Sequence, residues 1–385
     1  MRRYDIDSLR VIAFGLLIIY HVGMFFVPWW FHIKNSVLYE ELTIPMLFLN
    51  QWRLSLLFVL SGMGTYYALS KRSGFQFIKE RLKRLLIPLI FGMLFIIPPQ
   101  IYFERLDKGQ FCGSYFDFWP LKAFNSFYPE GNISWHHLWF ILYLLIFSLI
   151  LVPAFLYLRK HTGAWIIRKM KSLCSKPLGL YILIIPLLLW QLFLAPYYPQ
   201  TNALINDWYN LINYCTFFFF GYLLMTLGNI FWQSVVKYRH VYLISGIIAF
   251  PLLLCFWYVI GYFSGNNYII ALIKVVNAWS WILALIGYSA VYLNKPSKAL
   301  SYANEAVYPF YILHQTVTIA LGYYLINIDW NFFTKFSIMS IGTFAICWLI
   351  YEFGIRRYSW IRPLFGMKPK VKNPIFITVK DSQTG

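Results

Sequence analysis

The sequence predicts an all-α, polytopic transmembrane bundle of about ten spans with both termini in the cytoplasm. Three observations predict it. Of 385 residues, 60% are hydrophobic and only 12% charged, against roughly 25% charged in a soluble domain. Apolar runs of about 20 residues, the length a bilayer core demands, recur along the whole chain. The basic residues concentrate in the short segments between alternate runs. A net charge of +19 would also suit a nucleic-acid binder. Charge confined to inter-span segments is instead the product of the positive-inside rule, so the expected partners are membrane lipids and not nucleic acid.

Ten runs meet the length: about 10–30, 44–69, 87–104, 138–158, 178–196, 210–232, 241–263, 269–293, 307–326 and 335–355. The first follows Arg2 and Arg3 but is long and ends in VPWW, so it is expected to be a retained helix and not a cleaved leader. The seventh and eighth are joined by SGNN, short enough for an antiparallel hairpin. Segments 1–10, 71–86, 159–177, 233–240, 294–306 and 356–385 hold 26 of the 33 basic residues. This places them, with both termini, in the cytoplasm. A single membrane domain is expected over 1–356 and a basic cytoplasmic tail over 357–385. The five cysteines are scattered without a CxxC pair, which suits neither a disulfide framework nor a zinc site. The outer loops are rich in Trp, Tyr and Asn. Such aromatic residues form interfacial belts or stack on sugar rings, and composition does not separate the two.

Polar residues inside the spans carry the chemistry. Arg10 and His21 in DIDSLRVIAFGLLIIYHVGMFF are eleven apart, about three helical turns and about 16 Å along one stripe, with Asp7 close to it. Arg10 is expected at the cytoplasmic mouth and His21 towards mid-bilayer. A lone intramembrane histidine can simply bond a neighbouring carbonyl. His21 has company: Asn50, Gln51 and Arg53 in the second span, His136 and His137 opening the fourth, His314 and Gln315 in the ninth. His21, His137, His314 and Arg53 together predict one polar cavity inside the bundle, with histidine the side chain suited to proton transfer near neutral pH. The sequence has no GxSxG elbow, HExxH pair or phosphate-binding glycine pattern, and direct attack by a base-activated hydroxyl is the simplest chemistry. In FIKERLKRLLIP, Arg81 and Arg84 share a helix face near Lys79 and Lys83. That cluster either sets topology against lipid headgroups or docks a phosphorylated cytosolic donor.

In these motifs the chain resembles the integral-membrane acyltransferase type 3 family, enzymes that O-acylate bacterial envelope polysaccharides and related glycans. DIDSLR followed by His21 is similar to the family's Arg, ten residues, His pattern. LLFVLSG at 56–62, RLKRLLIP, HLWF at 137–140 and YPFYILH at 308–314 follow in the family's order. HHLWF, Arg53 and Tyr351-Glu352 resemble most closely the branch of osmoregulated periplasmic glucan succinyltransferases. The resemblance implies a membrane-embedded O-acyltransferase with acyl-CoA as co-substrate, no bound cofactor or metal, and a glycan or glycolipid acceptor, in the cytoplasmic membrane. It implies that Arg10, Arg81 and Arg84 meet the phosphates of acyl-CoA and that His21 is the general base or a transient acyl carrier. Arg53, His137 and His314 are then left to orient His21, bind the sugar or stabilise the oxyanion. The acyl group, acetyl or succinyl, is open. The alternative is a transporter or flippase of a glycan or lipid-linked sugar.

Overall fold

The structure, a computed structural model, describes residues 3–260 and 268–369. The helices are α1 (Tyr4–Met24), α2 (Thr43–Ser70), α3 (Gly74–Asp107), α4 (Tyr115–Leu121), α5 (His136–Ile150), α6 (Val152–Lys160), α7 (Trp165–Cys174), α8 (Gly179–Phe193), α9 (Trp208–Thr226), α10 (Asn229–Lys237), α11 (Arg239–Ile260), α12 (Tyr268–Tyr292), α13 (Lys298–Leu325) and α14 (Phe332–Ile355). Among the described residues no strand forms. Six helices, α1, α2, α3, α11, α12 and α14, are long and apolar enough to cross a membrane. Up to eight are if the bent pairs α5 with α6 and α9 with α10 each count as one span. The expectation of about ten also counted α8, which is too short to qualify, and α13, which is diluted by Asn304, Glu305, His314 and Gln315. The SGNN connection and residues 370–385 of the expected tail lie outside the described residues.

The bends have local causes. α5 and α6 meet at 50°, where Pro153 opens the second helix and can neither donate to the preceding turn nor clear its carbonyl. α9 and α10 meet at 108° through Gly228 at φ +62°, a left-handed turn that costs glycine little. The run expected to span 210–232 therefore leaves its helix at Thr226 and folds back in α10. α3 widens into π-helical turns at Leu82–Leu86 and Gly92–Ile96, each ending just before an Ile-Pro pair. Pro88 and Pro98 release the carbonyls of Arg84 and Leu94 four residues earlier, and Trp119 Nε1 takes that of Leu94 at 2.9 Å.

α1 is the central helix, packed against α2, α12, α13 and α14, with Leu9, Ala13, Phe14, Leu17 and Ile18 all buried. α2 and α9 cross almost in backbone contact. A Cβ added to Gly62 would lie 2.0 Å from the Phe218 carbonyl, and one on Gly221 2.0 Å from that of Val59. Small residues at such crossings let helices approach closely where lipid offers no hydrophobic drive. After Met24 the apolar run leaves the helix and tucks back: Phe25, Phe26, Val27, Phe31 and Ile33 are buried, and Lys34 Nζ donates to the carbonyls of Met24 at 2.6 Å and Trp29 at 2.7 Å. His21 therefore sits in the last turn of α1, just before this loop. The stretch assigned to a tail begins as packed chain, with Phe365 and Met367 buried, the Phe365 ring 5.3 Å from that of Phe91, and Arg362 donating to Glu305 at 2.7 Å.

Candidate active site

Arg10, Arg81 and Arg84 come together around a cavity of about 850 Å³, within the size range of small-molecule sites. α1 supplies Arg10 from its second turn, and α3 supplies Arg81 and Arg84 as it enters its first π turn. Arg10 Nη1 donates to Asp7 Oδ1 at 3.1 Å and to Asn304 Oδ1 at 3.2 Å. Arg81 Nη2 donates to Thr65 Oγ1 at 3.2 Å, while its Nε is buried without a partner. Arg84 Nε donates to the Gly366 carbonyl at 3.2 Å, which Gly366 offers from a left-handed turn at φ +68°. Lys79 and Lys83 are exposed and do not line the cavity. The walls grade from these cations to apolar side chains, among them Phe14, Leu57, Phe140 and Leu144.

His21, His137, His314 and Arg53 form a second group farther along α1. The expected stripe is present in the packing: Arg10 bonds Asn304 and His21 bonds His314, both on α13. The Phe14 ring, 5.4 Å from Tyr311, lies between the two levels, and Tyr311 is 5.9 Å from His314. His314 Nδ1 faces the carbonyls of Tyr311 at 2.6 Å and Phe310 at 3.2 Å. Carbonyls only accept, so Nδ1 carries the proton, and in the neutral ring Nε2 is the acceptor. His21 Nδ1, 2.9 Å from His314 Nε2, must then donate. The lone pair of His21 is left on Nε2.

The other two members follow the same logic. His137 Nε2 donates to the Ile312 carbonyl at 3.0 Å, and its Nδ1 accepts from Gln100 Nε2 at 3.4 Å. Its ring stands edge-on to His314, 5.2 Å away. Arg53 is 1% exposed. Its guanidinium lies 3.8 Å over the ring of Tyr20, the residue before His21, and its Nε and Nη1 have no partner. Burying a cation is costly, and the Tyr20 ring face offsets part of that cost. Glu305 and Glu352 pair with Arg362 and Arg356, away from the histidines.

Sequence reasoning missed the carboxylate that does enter this region. Glu104, fully buried on α3, accepts from His32 Nδ1 at 2.6 Å, Tyr128 Oη at 3.0 Å and Lys108 Nζ at 2.5 Å. His32 Nε2 in turn accepts from Gln315 at 3.2 Å, and the Gln315 amide also donates to Gln100 Oε1 at 3.2 Å. One chain of bonds thus links Glu104 through His32, Gln315 and Gln100 to His137. An acid and a glutamine inside the run IPPQIYFER were the available signal.

The bundle of apolar helices thus holds a cation-lined cavity at one level and a hydrogen-bonded histidine pair at another. The chain belongs to the acyltransferase family: residues 3–352 match its acyltransferase domain, and the protein is an acyltransferase with several membrane-spanning helices. Among its relatives, glucans biosynthesis protein C of Escherichia coli O81 is 23% identical over 384 residues, with 96% of each chain covered. The protein of the same name from Salmonella paratyphi B is 22% identical over 390 residues, again with 96% of each covered. A third, from E. coli SMS-3-5, is 25% identical over 164 residues, covering 42% of this chain and 40% of its own. These belong to the branch that the sequence resembles. No solved structure matches.

Proposed function

We propose that the protein is an acyl-CoA-dependent O-acyltransferase of the cytoplasmic membrane, moving an acetyl or succinyl group to a hydroxyl of an envelope glycan or glycolipid. The observation that carries this reading is the proton order at His21: with Nδ1 committed to His314, Nε2 is the free base. Acyl-CoA enters from the cytoplasm, its phosphates against Arg10, Arg81 and Arg84, for which guanidinium forks are apt. Its thioester passes the Phe14 level to His21. The acceptor hydroxyl gives its proton to His21 Nε2 while its oxygen bonds the thioester carbon. The C–S bond then breaks, and the imidazolium returns the proton to the departing thiolate. Arg53 supplies the positive charge facing the tetrahedral oxyanion, and His314 and His137 hold the histidine group in register.

The finer topology belongs to the same reading: α8 and α13 join the eight other spans, giving ten with both termini cytoplasmic, so that the basic cavity opens where acyl-CoA resides. The named relatives support glucan as the acceptor class. Mass spectrometry of envelope glycans with and without the protein tests the reading. A mass increment dependent on the protein identifies acyl group and acceptor together; identical glycan masses contradict it.

A further inference from the structure

Beyond the basic cavity and His21, four rings gather beneath the loops after α1 and α3. His136 stands edge-on to His32 with centroids 4.5 Å apart and to Tyr128 at 4.8 Å, and Trp30 lies 5.0 Å from His32 and 6.4 Å from Tyr128. Glu104 closes the back of this group through its bonds to His32 and Tyr128.

Two costs fall on His136 at once. Its backbone is in the left-handed region at φ +36°, a strained conformation for a non-glycine residue. Its Nε2 is buried with no hydrogen-bond partner, a second loss. Strain and an orphaned polar atom on one residue mark a site held ready for something outside the chain. Trp30, whose ring meets those of His32 and Tyr128, is 62% exposed although Phe31 and His32 next to it in the chain are buried, so much of its indole is uncovered.

The charges decide the ligand's chemistry. Glu104 is matched by Lys108 and His32, and Arg105 donates to Asn132, Gln110 and the carbonyls of Pro129 and Gly131. The charged groups of this cluster are thus already hydrogen-bonded within the chain, and the polar atom left without a partner is the neutral ring nitrogen of His136. An aromatic face beside an unpaired ring nitrogen suits a neutral ring with C–H faces and hydroxyls. We infer that Trp30, His32, Tyr128 and His136 form the acceptor subsite, where a neutral hexose unit stacks on Trp30 and hydrogen-bonds His136 Nε2. The site lies one residue along α13 from the active pair, because Gln315 holds His32 while His314 holds His21. It therefore presents the sugar from the side opposite the arginine cavity. The inference rests on the transferase reading for the sugar's role, though not for its binding.

Binding is measured first, without acyl-CoA, by titrating a short glucose oligomer into the full-length protein in lipid nanodiscs. Trp30→Ala and His136→Asn are expected to weaken binding about tenfold each, the equivalent of about 1.4 kcal/mol. Trp30→Phe should keep most of the affinity. Asparagine is chosen because it tolerates a positive φ, which preserves the local backbone. Parent protein that does not bind the oligomer, or variants that bind it as the parent does, overturn the inference. If Trp30 only anchors the protein in the interface, Trp30→Ala and Trp30→Phe will leave oligomer affinity unchanged, which also overturns it. Oligomer binding with no label moved from acyl-CoA contradicts the transferase reading and leaves the subsite standing.

Discussion

In the proposed reaction His314 does for His21 what a carboxylate does in many histidine bases, with two backbone carbonyls setting its own tautomer. It is a positioning residue, and its contribution is testable by shape. In His314→Gln the amide oxygen can accept from His21 Nδ1, so most of the transfer rate should persist. His314→Leu removes the acceptor, and kcat should fall by about 10²-fold or more, the lower range for a general base, with the acyl-CoA KM little changed. Equal loss in both variants would reduce His314 to packing. Arg53 has a similarly sharp test. If its guanidinium faces the oxyanion, Arg53→Met slows acetyl and succinyl transfer alike. If it holds the distal carboxylate of a succinyl group, only succinyl transfer is lost. Relative rates with the two donors decide between them. For the cavity, Arg81→Gln with Arg84→Gln should raise the acyl-CoA KM about tenfold or more, since charge-assisted pairs contribute more than neutral hydrogen bonds, and leave the glycan KM unchanged. A matching change in both would leave those arginines only a topological role.

At the scale of elements, the short motifs of the sequence acquire physical causes. The SG of LLFVLSG places Gly62 at the α2–α9 crossing, where no Cβ fits, and Ser61 in the cavity wall. Gly62→Ala should cost about 1–3 kcal/mol as overpacking, seen as a lower midpoint of thermal unfolding in detergent; an unchanged midpoint would mean that the crossing is looser than described. The proline of RLKRLLIP widens α3 just after Arg84. Spacing made Arg10 and His21 legible as one stripe, and α13 reads that stripe through Asn304 and His314. The His32–Glu104 pair was not legible. His32 lies in the loop that folds back over α1, and nothing in the spacing of residues 32, 104 and 315 announces their meeting. Long-range contacts between a loop and two helices have no periodic signature.

For the molecule as a whole, composition was enough to establish an all-helical membrane chain, because few polar residues can be tolerated across so many runs. By length and composition, six helices qualify as spans, or up to eight with the bent pairs. A run that bends at Gly228, and a helix such as α13 whose polar residues serve the site, do not read like ordinary crossings. The proposed topology puts exposed Cys112, after α3, outside the cell. A membrane-impermeant maleimide added to intact cells from which the outer permeability barrier has been removed should label Cys112, and Cys112→Ser should abolish that labelling. Labelling of Cys112 only after the membrane is opened would reverse the orientation and with it the cytoplasmic entry of acyl-CoA.

The proposed reaction depends most on His21 Nε2 as the base between a donor held by arginines and a hydroxyl acceptor. The measurement that tests this most directly is transfer of radiolabel from acyl-CoA to glucan by membranes containing parent protein or His21→Ala, matched for inserted protein. The account predicts transfer by the parent and a loss of at least about 10²-fold in the variant. Transfer by His21→Ala at the parent's rate would contradict it.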